Sequence, residues 1–488
     1  MPGAPRGRSD RGADRDPRGQ GVSARRGRGP IEPVQQPGRE GEGAHGRAEP
    51  ASEGGGGVKK LEVNVHHLTR VEGHGNIKVR VNDGKIEELR LEIVESPRFF
   101  ESMLVGRYLD EVPHITARIC GICALGHTTA SVRAAENALG WKAPDEVMWL
   151  RRLLMDGETI ASHILHVYFL VAPDFFKVGS VIPLAATHPD VVKRALRLKK
   201  GAYDMCDILV GRKIHPVSMT VGGFTHWPAK KDFILVREML EALRPDLDDT
   251  VKLFAGIAPP ALDSPAEYVG LRSEGDRYEF VHGRVTSTAG ESVDEKDYGK
   301  LIAERTVAHS SARHVSTKHG PYAVGALARY KLNHDRLTPW AAEGAKRLGL
   351  SPDTTNPFHN NTAQIVECMQ CVDDGVDMVD RLLAVKKPPV WAPLGRKAGE
   401  GAAAVEVPRG ILFHHYETDA NGRIVRANCI IPTGQNQANI ESDLHRFVPA
   451  LIDGGKDADE IRLSCEMLVR AYDPCISCSA HFLEVELV

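Results

Sequence analysis

Apolar and polar residues alternate along KKLEVNVHHLTRVEGHGNIKVRVNDGKIEELRLEIVES, which spans residues 59–96. A period of two is typical of strands that bury one face. The residues Asn-Asp-Gly interrupt the alternation at 82–84, and Asp-Gly is a common turn between antiparallel strands. The pattern therefore predicts an antiparallel strand pair in this segment.

Three longer stretches place apolar residues at helical spacing over several turns. They are DEVMWLRRLLMDGETIASHILHVYFL (145–170), PDVVKRALRLKKGAYDMCDILVG (189–211) and NNTAQIVECMQCVDDGVDMVDRLLAV (360–385). Breaks rich in glycine and proline, near 255–265 and 388–410, separate elements, but no flexible linker or internal repeat marks a domain boundary. We expect one compact α+β unit that is mainly α.

Residues 1–57 have a different composition, dominated by Arg, Gly, Asp and Pro and without any aromatic residue. Such a segment cannot bury enough apolar surface to offset the entropy of ordering, so we predict disorder. A nucleic-acid-binding arm is an alternative, although acidic residues interrupt the basic ones. A third interpretation is that the segment is not translated. The Glu-Gly run before Val58 matches a translated ribosome-binding sequence, which would make Val58 the start.

The whole chain has 488 residues, 42% of them hydrophobic, and a formal net charge of −3, which allows one or two substantial cores. Beyond the N-terminal segment, basic and acidic residues are mixed, which argues against nucleic acid as the main partner. No apolar run has transmembrane length, and no signal-peptide core is present. We expect a cytoplasmic protein with no membrane span, whose nine cysteines are thiols or metal ligands.

Cysteines with the spacing Cys-x-x-Cys lie towards both ends of the chain: Cys120 and Cys123 in RICGIC, and Cys475 and Cys478 in DPCISCSAH. This spacing lets both sulfurs of a pair face one metal ion. A structural zinc site, a redox dithiol and buried non-ligating cysteines are alternatives. Structural zinc sites usually take both pairs from one short module, whereas most of this chain separates the pairs. A redox dithiol would need only one pair.

A third Cys-x-x-Cys, formed by Cys368 and Cys371, lies inside a helical pattern, where both thiols can pack as small hydrophobic side chains. We predict that this pair belongs to the core, as do the thiols of Cys206, Cys429 and Cys465. No remaining set of cysteines has iron–sulfur spacing, and no glycine-rich nucleotide-binding motif is present.

Five motifs carry a resemblance to a known family: RVEGHGNI (70–77), RICGICALGH (118–127), PRG (408–410), PTGQN (432–436) and DPCISCSAH (473–481). In this order they resemble the large, catalytic subunit of [NiFe] hydrogenases, from about residue 59 to the C-terminus. The resemblance implies a fold with a central bundle of long helices and small antiparallel sheets. It also implies a hydrogenase domain at 58–481 and a cytoplasmic, bidirectional enzyme that cleaves H2 reversibly into protons and electrons.

The resemblance further implies that the four motif cysteines hold nickel and iron, with the iron carrying carbon monoxide and cyanide. Cys123 and Cys478 would bridge the metals, while Cys120 and Cys475 would bind nickel alone. Thiolates suit both metals because they are soft, polarisable donors.

Residues around the metals follow from the same resemblance. Arg409 would lie over the metals, and Arg409 and Thr433 would donate hydrogen bonds to cyanide, each beside a proline, Pro408 and Pro432. His127 would form a hydrogen bond near a bridging sulfur. Outside this motif context, Arg409 would suit a surface turn and His127 the core.

Two carboxylates also match the family. Glu72 would take protons from Cys475, although a glutamate after a strand is ordinarily solvated. Glu101 would bind a second cation, usually magnesium, together with His481 and the backbone carbonyl of Cys429.

Residues 482–488, FLEVELV, resemble the C-terminal peptide that a maturation endopeptidase removes in this family, or else form a terminal strand. The expected partners are a hydrogenase small subunit with iron–sulfur clusters, and further subunits that use NAD(P), a deazaflavin, or ferredoxin and heterodisulfide. A hydrogen sensor and the quinone-site subunit of complex I are alternative functions.

Overall fold

The alternating N-terminal segment forms three antiparallel strands in a computed structural model that describes residues 60–480. The predictions for residues 1–57, Val58, His481 and residues 482–488 lie outside this range. Strand β1 is Lys60–Val65, β2 is Gly75–Asn82 and β3 is Lys85–Ile93. Asp83 and Gly84 join β2 to β3, and both have positive φ, as a tight hairpin turn requires. The predicted strand pair is confirmed.

The remaining strands are short and form small sheets. They are β4 Met219–Thr220, β5 Gly223–Phe224, β6 Glu267–Arg272, β7 Arg284–Ser287, β8 Ser292–Val293, β9 Ala303–Val307, β10 Ser310–Ser316, β11 Tyr322–Ala323, β12 Gly399–Val407, β13 Gly410–Thr418 and β14 Ile424–Ile430. The strand orders are β1-β2-β3-β10-β9, β11-β6-β7-β8, β12-β13-β14 and β4-β5. Strand β10 runs parallel to β3 and antiparallel to β9.

Helices make up most of the regular structure. They are α1 Phe100–Leu104, α2 Val112–Thr116, α3 Ala124–Leu139, α4 Asp145–Ile164, α5 Ala172–Phe175, α6 Val181–Thr187, α7 Pro189–Val210, α8 Lys230–Ala255, α9 Ala326–Asn333, α10 Pro339–Arg347, α11 His359–Leu383, α12 Pro432–Asp453, α13 Ala458–Ala471 and α14 Ile476–Ser479. A π-helix, Leu165–Val171, continues α4, and two 3₁₀ helices cover Glu295–Lys300 and His334–Arg336.

Four long helices form the centre of the fold. Helix α4 packs against α7 and α11, and α8 packs against the same two helices. The three helices predicted from apolar spacing are α4 with its π-helical extension, α7 and α11. The prediction of a mainly helical α+β fold is thereby confirmed. In the described part of the chain, no helix is long and apolar enough to cross a membrane.

The break predicted at 388–410 is wrong in its second half, because Gly399–Val407 forms the buried strand β12. Its sequence, GEGAAAVEV, has few residues with high strand propensity. Small residues are needed here because β12 lies directly on α3. A Cβ at Gly401 would approach the backbone oxygen of Ala134 to 2.4 Å. Packing against a helix backbone therefore decides the conformation of this segment.

Candidate metal centre

The two terminal Cys-x-x-Cys pairs meet in the interior. Cys123 directly precedes α3, and Cys475 directly precedes α14. The sulfurs of Cys120, Cys475 and Cys478 lie within 4.8 Å of one another, and the sulfurs of Cys120 and Cys475 are 3.7 Å apart. All four cysteines are buried and none forms a disulfide. The fold thus brings together thiols from opposite ends of the described chain.

Backbone amides and neighbouring thiols favour a thiolate at Cys120. The amides of Ile122 and Cys123 donate to its sulfur at 3.2 and 3.1 Å. Side-chain hydrogen bonds from Cys123, then Cys475 and Cys478, hold the pKa of Cys120 well below its usual value. A buried anion of this kind is the form that a metal ion binds.

Glu72 lies directly beside Cys475. The thiol of Cys475 donates to Glu72 Oε2 at 3.2 Å, and the amide of Ser477 donates to the same oxygen at 3.1 Å. The Ser477 hydroxyl donates to the other carboxylate oxygen. Their backbones also pair, since the Ile476 amide donates to the Glu72 carbonyl at 2.8 Å. Glu72 is half-buried, so it links the buried thiol towards the surface.

Such close approach requires glycine at position 73. Gly73 has φ of +87°, and a Cβ there would lie 2.7 Å from the amide nitrogen of Ser477. The RVEGHG motif therefore supplies both the carboxylate and the space that its partner segment occupies.

Arg409 occupies the turn between β12 and β13 and is 3% exposed. Its Nη1 donates to the sulfur of Cys123 at 3.2 Å. Its Nε donates to the backbone oxygen of Asp473 at 2.8 Å, and its Nη2 pairs with the Asp473 carboxylate at 3.0 Å. The guanidinium is thus a fixed positive charge beside the thiol cluster.

A buried ion-pair network that sequence reasoning missed supports the Arg409 turn. Arg329 of α9 donates to the backbone oxygens of Val407 and Pro408 at 2.8 and 3.0 Å. It also pairs with Glu367 at 2.7 Å and Glu406 at 2.9 Å. The three charged side chains are almost fully buried. Glu367 directly precedes Cys368, so the ECMQC stretch contributes to the site through its carboxylate.

Thr433 contacts the second cysteine motif at the start of α12. Its hydroxyl oxygen accepts a hydrogen bond of 2.9 Å from the amide of Cys475. Because a hydroxyl can accept and donate together, its proton is available to a neighbouring acceptor. Pro432, the first residue of α12, needs no amide partner at that helix position.

His127 forms a buried chain that leads away from the cysteines. Its Nδ1 is 3.2 Å from Nε2 of His414, whose Nδ1 is 2.5 Å from the hydroxyl of Tyr416. Tyr416 in turn donates to Ser131 at 3.2 Å. Burial lowers the pKa of His127 to about 4, so its ring is neutral at pH 7. Within residues 60–480, no hydrogen bond joins the His127 ring to a cysteine sulfur.

Glu101 and Cys429 lie at the edge of a cavity of about 20 Å³, which Ser479 also lines. The Cys429 amide donates to Glu101 Oε1 at 2.9 Å, and Arg313 lies 3.7 Å from Oε2. Burial raises the pKa of Glu101 above its usual value, against the effects of the Cys429 amide and Arg313. The cavity has room for one small species beside the carboxylate.

Glu158 of α4 is a second feature that the sequence did not reveal. Its carboxylate accepts hydrogen bonds from the amides of Leu125 and Gly126 at 2.6 and 2.8 Å, in the first turn of α3. Burial raises its pKa to about 8, in spite of these bonds. Glu158 therefore fixes the helix start that follows Cys123.

The other cysteines have the surroundings predicted for them. The thiols of Cys206, Cys368, Cys371, Cys429 and Cys465 are all buried in the hydrophobic core. Burial raises the pKa of Cys368 and Cys371 well above the usual value, so both remain protonated. Core packing is confirmed for these five residues.

Comparison with known proteins identifies the family. A family model described as nickel-dependent hydrogenase matches residues 98–191 and 310–481, and a model described as HoxL-like matches residues 62–96. The chain belongs to the nickel-dependent hydrogenase family. Its resemblance to large, catalytic subunits is thereby confirmed, and the complex I alternative is set aside.

Relatives of this hydrogenase chain match over nearly their whole length. It is 34% identical to the alpha subunit of sulfhydrogenase 1 from Pyrococcus furiosus, covering 87% of this chain and 99% of the relative. It is 32% identical to a subunit of the F420-non-reducing hydrogenase from Methanothermobacter marburgensis, covering 88% and 96%.

Solved structures agree with this assignment. An NAD+-reducing [NiFe]-hydrogenase in the H2-reduced state matches with a TM-score of 0.76 and 26% identity, covering 87% of this chain and all of that one. The [NiFeSe]-hydrogenase of Dm. baculatum shares the fold, with a TM-score of 0.68 and 23% identity over 86% of this chain. The chain is therefore a hydrogenase catalytic subunit, an oxidoreductase that acts on hydrogen with nickel and iron.

Proposed function

We propose that Cys120, Cys123, Cys475 and Cys478 hold a nickel–iron centre at which this subunit cleaves H2 reversibly and heterolytically. The observation that carries the assignment is the buried sulfur cluster, in which three sulfurs lie within 4.8 Å and Arg409 contacts the fourth. Soft thiolates in a closed interior fit nickel and iron. We assign Cys123 and Cys478 as bridging ligands, with Cys120 and Cys475 on nickel alone.

When bound, the centre supplies the Lewis acid that polarises H2 and accepts its electrons. Cys475 then receives a proton as the base closest to Glu72. The thiol–carboxylate contact of 3.2 Å lets the proton pass to Glu72. Two hydrogen bonds from Ser477 hold the carboxylate in this position. Half-buried Glu72 then releases the proton towards solvent.

Arg409 contributes a preorganised positive charge. The two contacts with Asp473 prevent the guanidinium from turning away, and burial strengthens its electrostatic effect on the sulfurs. We propose that Arg409 and the Thr433 hydroxyl donate hydrogen bonds to cyanide ligands on the iron, which also carries carbon monoxide. Pro408 and Pro432 fix the backbone beside these donors, and His127 supports the neighbourhood of the bridging sulfur through its neutral ring.

A magnesium-type cation is proposed for the cavity beside Glu101. A carboxylate, the Cys429 carbonyl, waters and His481 would form a donor set of oxygen and nitrogen atoms suited to a hard ion. Such an ion would tie the end of the C-terminal motif to α1. Iron is the alternative occupant.

Electrons must leave through another protein chain. The described residues contain one cysteine cluster able to hold metal, and their other thiols are dispersed in the core. We therefore propose a partner chain with iron–sulfur clusters, the hydrogenase small subunit, together with further electron-transfer subunits in a cytoplasmic complex. Relatives named as F420-non-reducing favour NAD(P), or ferredoxin and heterodisulfide, over a deazaflavin as the final acceptor.

Maturation is proposed to end with proteolytic removal of residues 482–488 after nickel insertion. The mature chain isolated from its native host should then end at His481 by mass spectrometry. A fully active enzyme that retains Val488 would instead make the peptide structural.

The central test is metal analysis of the mature complex together with its infrared spectrum. We expect nickel, iron and bands of iron-bound carbonyl and cyanide, together with multiple-turnover H2 oxidation. Zinc alone, without these bands, would contradict the proposed centre. An intact centre that binds H2 without turnover would instead identify a hydrogen sensor.

A further inference from the structure

A second group of potential metal ligands lies away from the cysteines, where β10 packs against α12. One ring nitrogen each from His309 and His314 and a carboxylate oxygen of Glu441 lie within 4.8 Å of one another. His309 directly precedes β10, His314 lies within it, and Glu441 lies on α12. Two imidazoles and a carboxylate form a donor set that suits zinc and other divalent first-row transition metals.

His314 lacks the contacts that a purely structural histidine usually makes. It is 2% exposed, and its Nε2 has no hydrogen-bond partner. Buried polar atoms are normally satisfied, so an unpaired ring nitrogen within this group indicates a missing partner. Burial lowers the pKa of His314 to about 4, with contributions from His309 and Arg305, which leaves the ring neutral at pH 7 as a ligand must be.

The other two side chains are held in place and remain accessible. Glu441 Oε1 accepts a hydrogen bond of 3.0 Å from the Leu91 amide of β3, and it lies 2.9 Å from His309 Nε2. The amide orients the carboxylate as a supporting contact does in metal sites. The side chains of His309 and Glu441 are 20% and 17% exposed, so an ion can enter from solvent and retain a water molecule.

We infer that His309, His314 and Glu441 form a binding site for a divalent transition-metal ion, with zinc as its structural occupant. Zinc bonds of about 2.0–2.1 Å allow ligand atoms to lie up to about 4.2 Å apart, so the side chains need to close by less than about 1 Å. The ion would join the β9–β10 hairpin to α12. Since the first turn of α12 carries Thr433, it would also brace the helix that contacts Cys475.

The test uses the mature, nickel–iron-loaded complex, in which the cysteine cluster is occupied. The complex is treated with a mild chelator, incubated with zinc sulfate, desalted, and analysed for metals and by X-ray absorption at the zinc edge. We expect about one retained zinc per chain with nitrogen and oxygen neighbours at about 2.0–2.1 Å. Zinc with sulfur neighbours at about 2.3 Å, or no retained zinc, would overturn the inference.

Variants locate the ion. His314→Gln and Glu441→Gln should each lower zinc affinity by about tenfold or more, because each removes a ligand. His309→Gln, at a partly exposed position, provides the same test should the buried variants fail to fold. His319→Gln is the matched control, since His319 also contacts a carboxylate, Glu291 at 2.9 Å, but belongs to no such group. Equal zinc retention in all four variants would overturn the assignment.

Discussion

Arg409 and Asp473 are joined twice, by a hydrogen bond of 2.8 Å from Nε to the backbone oxygen and by an ion pair of 3.0 Å between the side chains. Asp473 lies two positions before Cys475, whereas Arg409 belongs to a hairpin turn and reaches Cys123. One guanidinium therefore connects the hairpin with both cysteine motifs. Its planar geometry, as well as its charge, is required for these contacts.

Replacing Arg409 with lysine should separate geometry from charge. Lysine keeps the positive charge but cannot make all three contacts, so the charge beside Cys123 becomes mobile. We expect nickel and iron to be retained and H2 oxidation to fall by about 10²- to 10³-fold, the usual effect of losing a preorganised donor. Arg426→Lys, at a position 61% exposed, is the control and should retain full activity. Unchanged activity in Arg409→Lys would remove the guanidinium geometry from the mechanism.

Glu72→Gln should stop proton transfer while leaving the metals in place. Glutamine keeps the size of the side chain but cannot ionise, and general acid–base groups typically contribute about 10²- to 10⁴-fold. We expect H2 oxidation to fall by at least about two orders of magnitude. Glu72→Asp, which retains a carboxylate, should be less affected. Infrared spectra of the carbonyl and cyanide ligands will show whether the centre is intact.

The control for this residue is Glu95→Gln, since Glu95 is nearby, contacts His74 and does not touch the cysteines. Equal losses in the Glu95 and Glu72 variants would indicate a general effect on the loop. Loss of metal in Glu72→Gln would instead make Glu72 a structural residue.

Cysteine substitutions should distinguish ligands from core residues. Cys475→Ser replaces a soft thiolate with a poorly ionised hydroxyl, so nickel should be lost. Cys368→Ala removes a buried thiol that contacts no proposed ligand, so nickel should remain while stability falls slightly. Metal content per folded chain is the measurement. Nickel retained in Cys475→Ser, or lost in Cys368→Ala, would contradict the assignment.

Asp443 should make stability depend on pH. Burial raises its pKa to about 6, in spite of hydrogen bonds from Ser264 and Tyr472. Because the folded state keeps this proton to higher pH than the unfolded state, stability is lost as pH rises from about 4 to about 6. Asp443→Asn should remove this loss, giving a gain of roughly 3 kcal/mol above pH 6.

Urea unfolding at several pH values between 4 and 8 measures this effect. The difference between Asp443→Asn and the parent chain should grow through pH 6 and then level off. Asp110→Asn, which removes a charge at a position 65% exposed, is the control and should show a constant difference. A constant difference for Asp443→Asn would refute the raised pKa.

Sequence patterns predicted the features that depend on local spacing. Alternation identified β2 and β3, apolar periodicity identified α4, α7 and α11, and the cysteine motifs identified the sulfur cluster. Arg329 and Glu158 escaped because a charged residue within a helix is ordinarily solvated. Their burial depends on partners from distant segments, such as Glu406, which is separated from Arg329 by 77 positions. Strand β12 escaped because close contact with α3 requires small residues with low strand propensity.

The contact between Glu72 and Cys475 has a consequence for the order in which the molecule assembles. It joins positions 403 residues apart, so forming it early would require closure of a very long loop. The segment 473–480 docks by backbone pairing onto a loop that β1 and β2 already position. Completion of the cysteine cluster is therefore a late and local event, and the bundle can form first as a nearly finished container for the ions. Delivery of metal can then be timed by the docking of a few residues, without unfolding the rest of the chain.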